Sequence, residues 1–133
     1  MKKSILFIFC GICILQSIAQ SWKPAGDLLK TSWASQVNPA NPLSEYPRPQ
    51  MERGKWFSLN GLWSYTISQR GNGFPKDFDG RILVPFPIES SLSGVQKRVG
   101  ENQDLWYQRA FTIPEEWKRK DVLLNFEIGR AHV

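Results

Sequence analysis

Leu59-Asn60-Gly61-Leu62-Trp63-Ser64-Tyr65-Thr66-Ile67-Ser68 is the stretch that decides how this chain folds. Trp63, Tyr65 and Ile67 fall on one side of it, and Ser64, Thr66 and Ser68 on the other. Successive side chains of a strand point to opposite faces, so an apolar/polar period of two marks a half-buried β-strand. Asn60-Gly61 is a two-residue hairpin signal, because both turn positions favour positive φ. It predicts that Trp56-Phe57-Ser58-Leu59 folds back on the strand over 62–68.

Downstream the pattern stays β. Gly71-Asn72-Gly73 and Asp79-Gly80 bracket a loop, and Arg81-Ile82-Leu83-Val84 is a short strand closed by Pro85 and Pro87. Residues 88–104 read as a long polar loop containing Gly94 and Gly100. A further strand is expected over 105–113, with Leu105, Tyr107, Phe111 and Ile113 on one side. Pro114-Glu115-Glu116-Trp117 reads as a single helical turn, since Pro suits the first position and acidic residues suit the positive end. Val122, Leu124 and Phe126 share a face of a last strand over 122–127. Short alternating strands, turn signals between them and no long helix indicate an all-β sandwich.

Upstream, residues 20–54 form an extended lead-in arm, punctuated by Pro24, Pro39, Pro42, Pro47 and Pro49. Proline cannot donate to a ladder and restricts the residue before it. Trp22, Leu28, Leu29, Trp33, Tyr46 and Met51 give the arm apolar side chains to bury, and a short helix is expected around residues 27–35. Before the arm come Met1-Lys2-Lys3, an apolar run of eleven residues from Ile5 to Leu15, and Ser17-Ile18-Ala19. That is the order of an export signal over residues 1–19, cleaved after Ala19. The run is shorter than the roughly 20 residues that a membrane-spanning helix needs. Bulky Phe9 and Ile12 precede Cys10 and Cys13, which excludes a lipoprotein signal. The mature chain is therefore expected to be secreted or periplasmic, with no membrane span.

At the other end, Ile128-Gly129-Arg130-Ala131-His132-Val133 breaks the alternation. One frame of a common sequencing adapter, ATC GGA AGA GCA CAC GTC, encodes that hexapeptide, so residues 128–133 are expected to be an artefact. The domain proper then spans residues 55–127 and is incomplete at its C-terminus.

These boundaries change what the composition means. All 133 residues carry 17 Lys+Arg against 12 Asp+Glu, a net of +5, which on its own invites a nucleic-acid partner. Without Lys2, Lys3 and Arg130, residues 20–127 carry +2, and Lys118-Arg119-Lys120 is flanked by Glu115, Glu116 and Asp121. No nucleic-acid partner is expected. Cys10, Cys13 and His132 also fall outside residues 20–127, so histidine and thiol mechanisms drop out and no metal or other cofactor is expected. Carboxylates, Lys or Tyr remain for acid–base work.

Among the carboxylates, Glu115 and Glu116 are adjacent and point to different faces of a turn, as a solvated helix start does. Glu89 stands at the end of a strand and opens a long loop, where sites are often built on a rigid scaffold. Arg109 lies mid-strand among aromatics and reads as a structural cation, paired with a carboxylate or stacked on a ring. Trp63 and Trp106 fit core positions.

Leu59-Asn60-Gly61-Leu62-Trp63 with Tyr65, the run Ile82-Leu83-Val84-Pro85-Phe86-Pro87-Ile88-Glu89-Ser90 and the run 105–114 together resemble the N-terminal sugar-binding domain of glycoside hydrolase family 2. Upstream, Glu45-Tyr46-Pro47-Arg48-Pro49-Gln50-Met51 and Arg53 with Trp56 are similar to the lead-in arm of its β-galactosidase-like members. The resemblance covers residues 28–127. It implies a jelly-roll β-sandwich of the galactose-binding type, followed in such enzymes by an immunoglobulin-like domain and a (β/α)₈ barrel. Both catalytic glutamates belong to that barrel, so no catalytic residue is expected in this chain and the fragment alone is expected to be inactive. The implied reaction is retaining exo-hydrolysis of a β-linked terminal sugar. In some members an Asn on the loop after the Val-Pro step holds that sugar. Here Phe86-Pro87-Ile88-Glu89 has no Asn, and Glu89 is the nearest polar candidate for substrate binding. The implied partners are a β-linked carbohydrate, the missing barrel and further copies of the full-length enzyme. A non-catalytic carbohydrate-binding module and a purely structural sandwich are the competing readings. A chain that stops at residue 127 is also expected to present unpaired strand edges.

Overall fold

The computed structural model describes residues 22–26, 30–45, 50 and 52–126. The export signal over 1–19, both cysteines, Leu28, Leu29, Tyr46, Met51, Glu127 and residues 128–133 lie outside them. The described fold is all-β. Its centre is an antiparallel three-stranded sheet in the order β2-β1-β3, with β1 Gly61–Gln69, β2 Gly80–Val84 and β3 Gln103–Gln108. Short 3₁₀ turns lie at Ser32–Gln36, Ser91–Ser93 and Glu115–Trp117. No helix among the described residues is long and apolar enough to cross a membrane.

The alternation around Trp63 sets the two faces. Trp63 stands opposite Ile82 on β2, while Tyr65 and Ile67 stand opposite Tyr107 and Leu105 on β3. On this face Tyr65, Ile82 and Ile88 form the core cluster, with Trp63, Ile67, Val84, Val95, Val99 and Leu105 packed around it. Gly80 stands opposite Tyr65, and a Cβ there would lie 3.5 Å from the Tyr65 Cε1, in ordinary van der Waals contact. The other face carries Leu83 and Thr66, both buried. There Trp106 donates through its indole N–H to the Ser68 hydroxyl at 2.9 Å. Its ring meets Phe74 edge-on, with centroids 5.6 Å apart. Trp63 and Trp106 are half-buried on opposite faces.

Three strand expectations need correcting. Residues 56–60 carry no strand, so the Asn60-Gly61 hairpin is not formed. β2 takes one side of β1 from Gly61 to Tyr65, and β3 takes the other from Ser64 onward. The β2-side edge of β1 is thus filled along the whole stretch that Trp56–Leu59 would have paired with, and the β3-side edge is filled from Ser64. Gly61 does have positive φ, +133°, but it opens β1 instead of turning it. The strand expected over 105–113 runs instead from Gln103 to Gln108. Beyond it, the Arg109 guanidinium turns to the Asn60 carbonyl at 3.0 Å. Residues 122–126 alternate in sequence but carry no strand, and Val122, Leu123, Leu124 and Phe126 are exposed. A strand needs a backbone partner as well as a pattern. The turn at Glu115–Trp117 is present, with Pro114 just ahead of it.

Candidate functional site

The segment that leaves β2 folds back over the Tyr65 face of the sheet. The Phe86 amide donates to the Leu83 carbonyl at 3.1 Å, and the Ser90 amide to the Pro87 carbonyl at 2.8 Å, so two tight turns follow each other. Between them Ile88 plunges into the core and leaves the next side chain, Glu89, exposed. The Ser90 hydroxyl caps the 3₁₀ turn by accepting from the Leu92 amide at 3.1 Å. Gly94, at φ +80°, ends that turn in the left-handed region that glycine adopts without strain.

Ser93 is fully buried and binds the loop together internally. Its hydroxyl lies within donating distance of the Ser90 and Ile88 carbonyls, at 2.7 and 3.1 Å. It also accepts from the Val95 amide at 3.0 Å and the Gln96 amide at 3.3 Å. The Lys97 amide then returns to the Ile88 carbonyl at 3.1 Å. This return places the Lys97 ammonium 5.8 Å from the centre of the Tyr65 ring, within cation–π range.

Tyr107 is the cross-strand neighbour of Tyr65 and is 39 % exposed. Its ring meets the edge of Trp63 at 6.5 Å between centroids. The Trp63 indole N–H is engaged elsewhere, donating to the Leu59 carbonyl at 2.8 Å. The Tyr107 phenol is raised above its ordinary value of 10, first by burial and second by the negative charge of Glu89. Tyr65 thus has the Lys97 ammonium over its ring and Tyr107 beside it on β3, and Tyr107 in turn has Trp63 at its side and feels the charge of Glu89. Glu89 stands out in the sequence by its place at a strand end. Nothing there marks Tyr107 and Lys97 as parts of the same sheet face, because no local pattern links positions 97 and 107 with Tyr65.

The raised phenol has a sign that can be measured. The folded chain keeps the Tyr107 proton to higher pH than the unfolded chain does. The associated stability is complete below pH 10 and is lost as pH rises through the folded value. Followed by phenolate absorbance, Glu89→Gln should move the Tyr107 midpoint down toward 10. An unmoved midpoint would separate the two residues.

The other residues weighed in the sequence have structural surroundings. The Arg109 guanidinium is lowered from its ordinary value, first by burial and second by Arg81. Among the described residues its hydrogen-bond partner is the Asn60 carbonyl rather than a carboxylate. Glu115 pairs on the surface with Lys118, at 2.5 Å, and both side chains are well exposed. Such a pair contributes little to stability. Among the described residues no three His, Cys, Asp or Glu side chains gather as a metal site.

A separate cavity of about 810 Å³ lies beyond the open end of β1, lined by Trp56, Trp63, Val84, Phe111, Trp117 and Leu124 among others. Glu89 is outside its lining, and Trp63 borders both. No family model and no curated protein matches this chain.

Proposed function

We propose that this chain is the N-terminal sugar-binding part of a secreted or periplasmic family 2 glycoside hydrolase. The full-length protein is a retaining exo-β-glycosidase of the β-galactosidase or β-glucuronidase kind. The three-stranded sheet belongs to a jelly-roll sandwich, and Glu89 contacts the terminal sugar. The observation that supports this reading is the loop after Val84-Pro85, which packs Ile88 into the Tyr65 face of the sheet and leaves the next side chain, the Glu89 carboxylate, exposed, while Tyr107 of the same face stands half-open against Trp63. A carboxylate accepts strong hydrogen bonds from sugar hydroxyls, and an aromatic face covers the apolar C–H side of a pyranose. The loop is braced from within by Ser93 and from below by Ile88, so little ordering remains to be done on binding.

In this reading the barrel supplies both catalytic carboxylates, one as nucleophile and one as acid/base. Glu89 orients the sugar and does no bond-breaking. The test is Glu89→Ala in the full-length enzyme, assayed on 4-nitrophenyl β-glycosides. Loss of one hydrogen bond to a charged group costs about 1.5–3 kcal/mol. KM should therefore rise roughly tenfold or more, with kcat changing less. Unchanged kinetics would remove Glu89 from the site, and a full-length protein that cleaves no glycoside would overturn the enzyme reading. Tyr107, open beside Trp63, favours one second reading, a non-catalytic carbohydrate-binding module. Glycan binding by the isolated chain, with no barrel encoded downstream, would favour it.

A further inference from the structure

We propose that residues 22–26 form a clasp that holds the Glu89 loop in place, with Trp22 as a positioning residue for sugar binding. The inference rests on the sugar-binding reading of Glu89 only in its functional half.

Three contacts tie this short segment to the loop at spaced positions. At the first, the Ala25 amide donates to the Ser91 carbonyl at 2.8 Å, and the Ser91 hydroxyl donates back to the Ala25 carbonyl. These two residues are 66 positions apart in the chain, yet each serves as donor and acceptor for the other. At the second, the Trp22 ring lies flush against Gly94. A Cβ on Gly94 would sit 3.0 Å from both Cδ1 and Nε1 of the indole and 3.2 Å from the Lys23 carbonyl. At the third, Gly26, with φ +58°, faces the Gln96 side-chain amide, whose Oε1 would lie 1.8 Å from a Cβ at Gly26.

Positions 91, 94 and 96 span the 3₁₀ turn and its exit, directly after Glu89. The bonds made by Ser93 give the turn its shape, but they are internal to the loop. The turn packs directly on β2, and it is joined to the rest of the molecule also by Ile88 ahead of it, by Val95 and Lys97 after it, and by residues 22–26 across its middle. The indole N–H of Trp22 is buried and has no hydrogen-bond partner among the described residues. Trp22 therefore acts through the packing of its ring. A phenyl ring can replace that packing, whereas a methyl group cannot.

The test compares Trp22→Ala and Trp22→Phe with the parent in the full chain by amide hydrogen exchange. Trp22→Ala should speed exchange at Ser93, Gly94 and Lys97 about tenfold or more, leave Leu62–Ile67 of β1 unchanged, and be largely reversed in Trp22→Phe. Equal exchange in all three proteins overturns the clasp. So does an equal rise in β1, which would mark Trp22 as a general stability residue. If Trp22→Ala does not fold, Ser91→Ala carries the same comparison with the ring in place. In the full-length enzyme the clasp also predicts a KM rise of several-fold for Trp22→Ala at near-constant kcat on 4-nitrophenyl β-D-galactopyranoside. Should the parent enzyme show no affinity for any glycoside, the sugar reading falls, and hydrogen exchange still decides the clasp.

Discussion

Replacing Ile82 by Ala should cost about 2–5 kcal/mol, the range for truncating a buried Ile in a packed core. Ile82 has no exposed surface and contributes to one cluster with Tyr65 and Ile88. It stands opposite Trp63, so the hole would open under the centre of the sheet. Its neighbour Leu83 is fully buried on the opposite face, which holds the β2 backbone from both sides and limits collapse into the hole. Small domains have only about 5–15 kcal/mol in total. The variant should lose most of its cooperative urea transition, whereas Ile82→Val should cost about 0.5–1.5 kcal/mol. Equal costs for Val and Ala would show that packing at this site is loose and that the core lies elsewhere.

Gly61→Ala should cost about 1–3 kcal/mol through a different physical cause, backbone strain. With φ at +133°, Gly61 occupies a region that is almost closed to side-chain-bearing residues. A Cβ would also lie 2.7 Å from the Arg109 Nη1 that donates to the Asn60 carbonyl. Gly71 is the control, with φ at +89° and open space within 4 Å of where an added methyl group would stand. If Gly61→Ala costs no more than Gly71→Ala in urea unfolding, the crowding by Arg109 has no energetic weight. A cycle with Arg109→Ala separates the strain from the collision.

The same position shows where local reading stops. Asn60-Gly61 announces positive φ, and Gly61 has it, but positive φ is compatible with a strand entrance as well as a turn. The choice was made by tertiary pairing, in which β2 takes one edge of β1 from Gly61 and β3 takes the other from Ser64. Arg81–Val84 was legible because four residues closed by prolines leave little freedom, and it appears as Gly80–Val84. The end of the strand expected at 113 was not legible. Phe111 and Ile113 continue the alternation, yet pairing to β1 stops at Gln108. Leu124 and Phe126 show the same limit, since their spacing is strand-like and their backbone has no ladder.

The exposure of Glu89 was legible from its place after a strand end. The make-up of the sheet face next to its loop was not. Tyr107 joins that face because β3 pairs with β1, and Lys97 lies over Tyr65 because the loop returns to the Ile88 carbonyl. The need of Trp22 for something to pack on could be read from its residue type, but Gly94 as that surface could not.

The order of residues alone was enough for the all-β character, the faces of β1 and the exposed carboxylate after β2. All of these follow from interactions within a few residues: the two-residue pleat, the proline and glycine restrictions, and the polarity of one side chain. Folding in three dimensions chose which strands pair, where they end, which rings share the Tyr65 face and what holds the Glu89 loop. Those depend on contacts between residues tens of positions apart, where many partners have similar local preferences and only the packing of the whole chain selects among them.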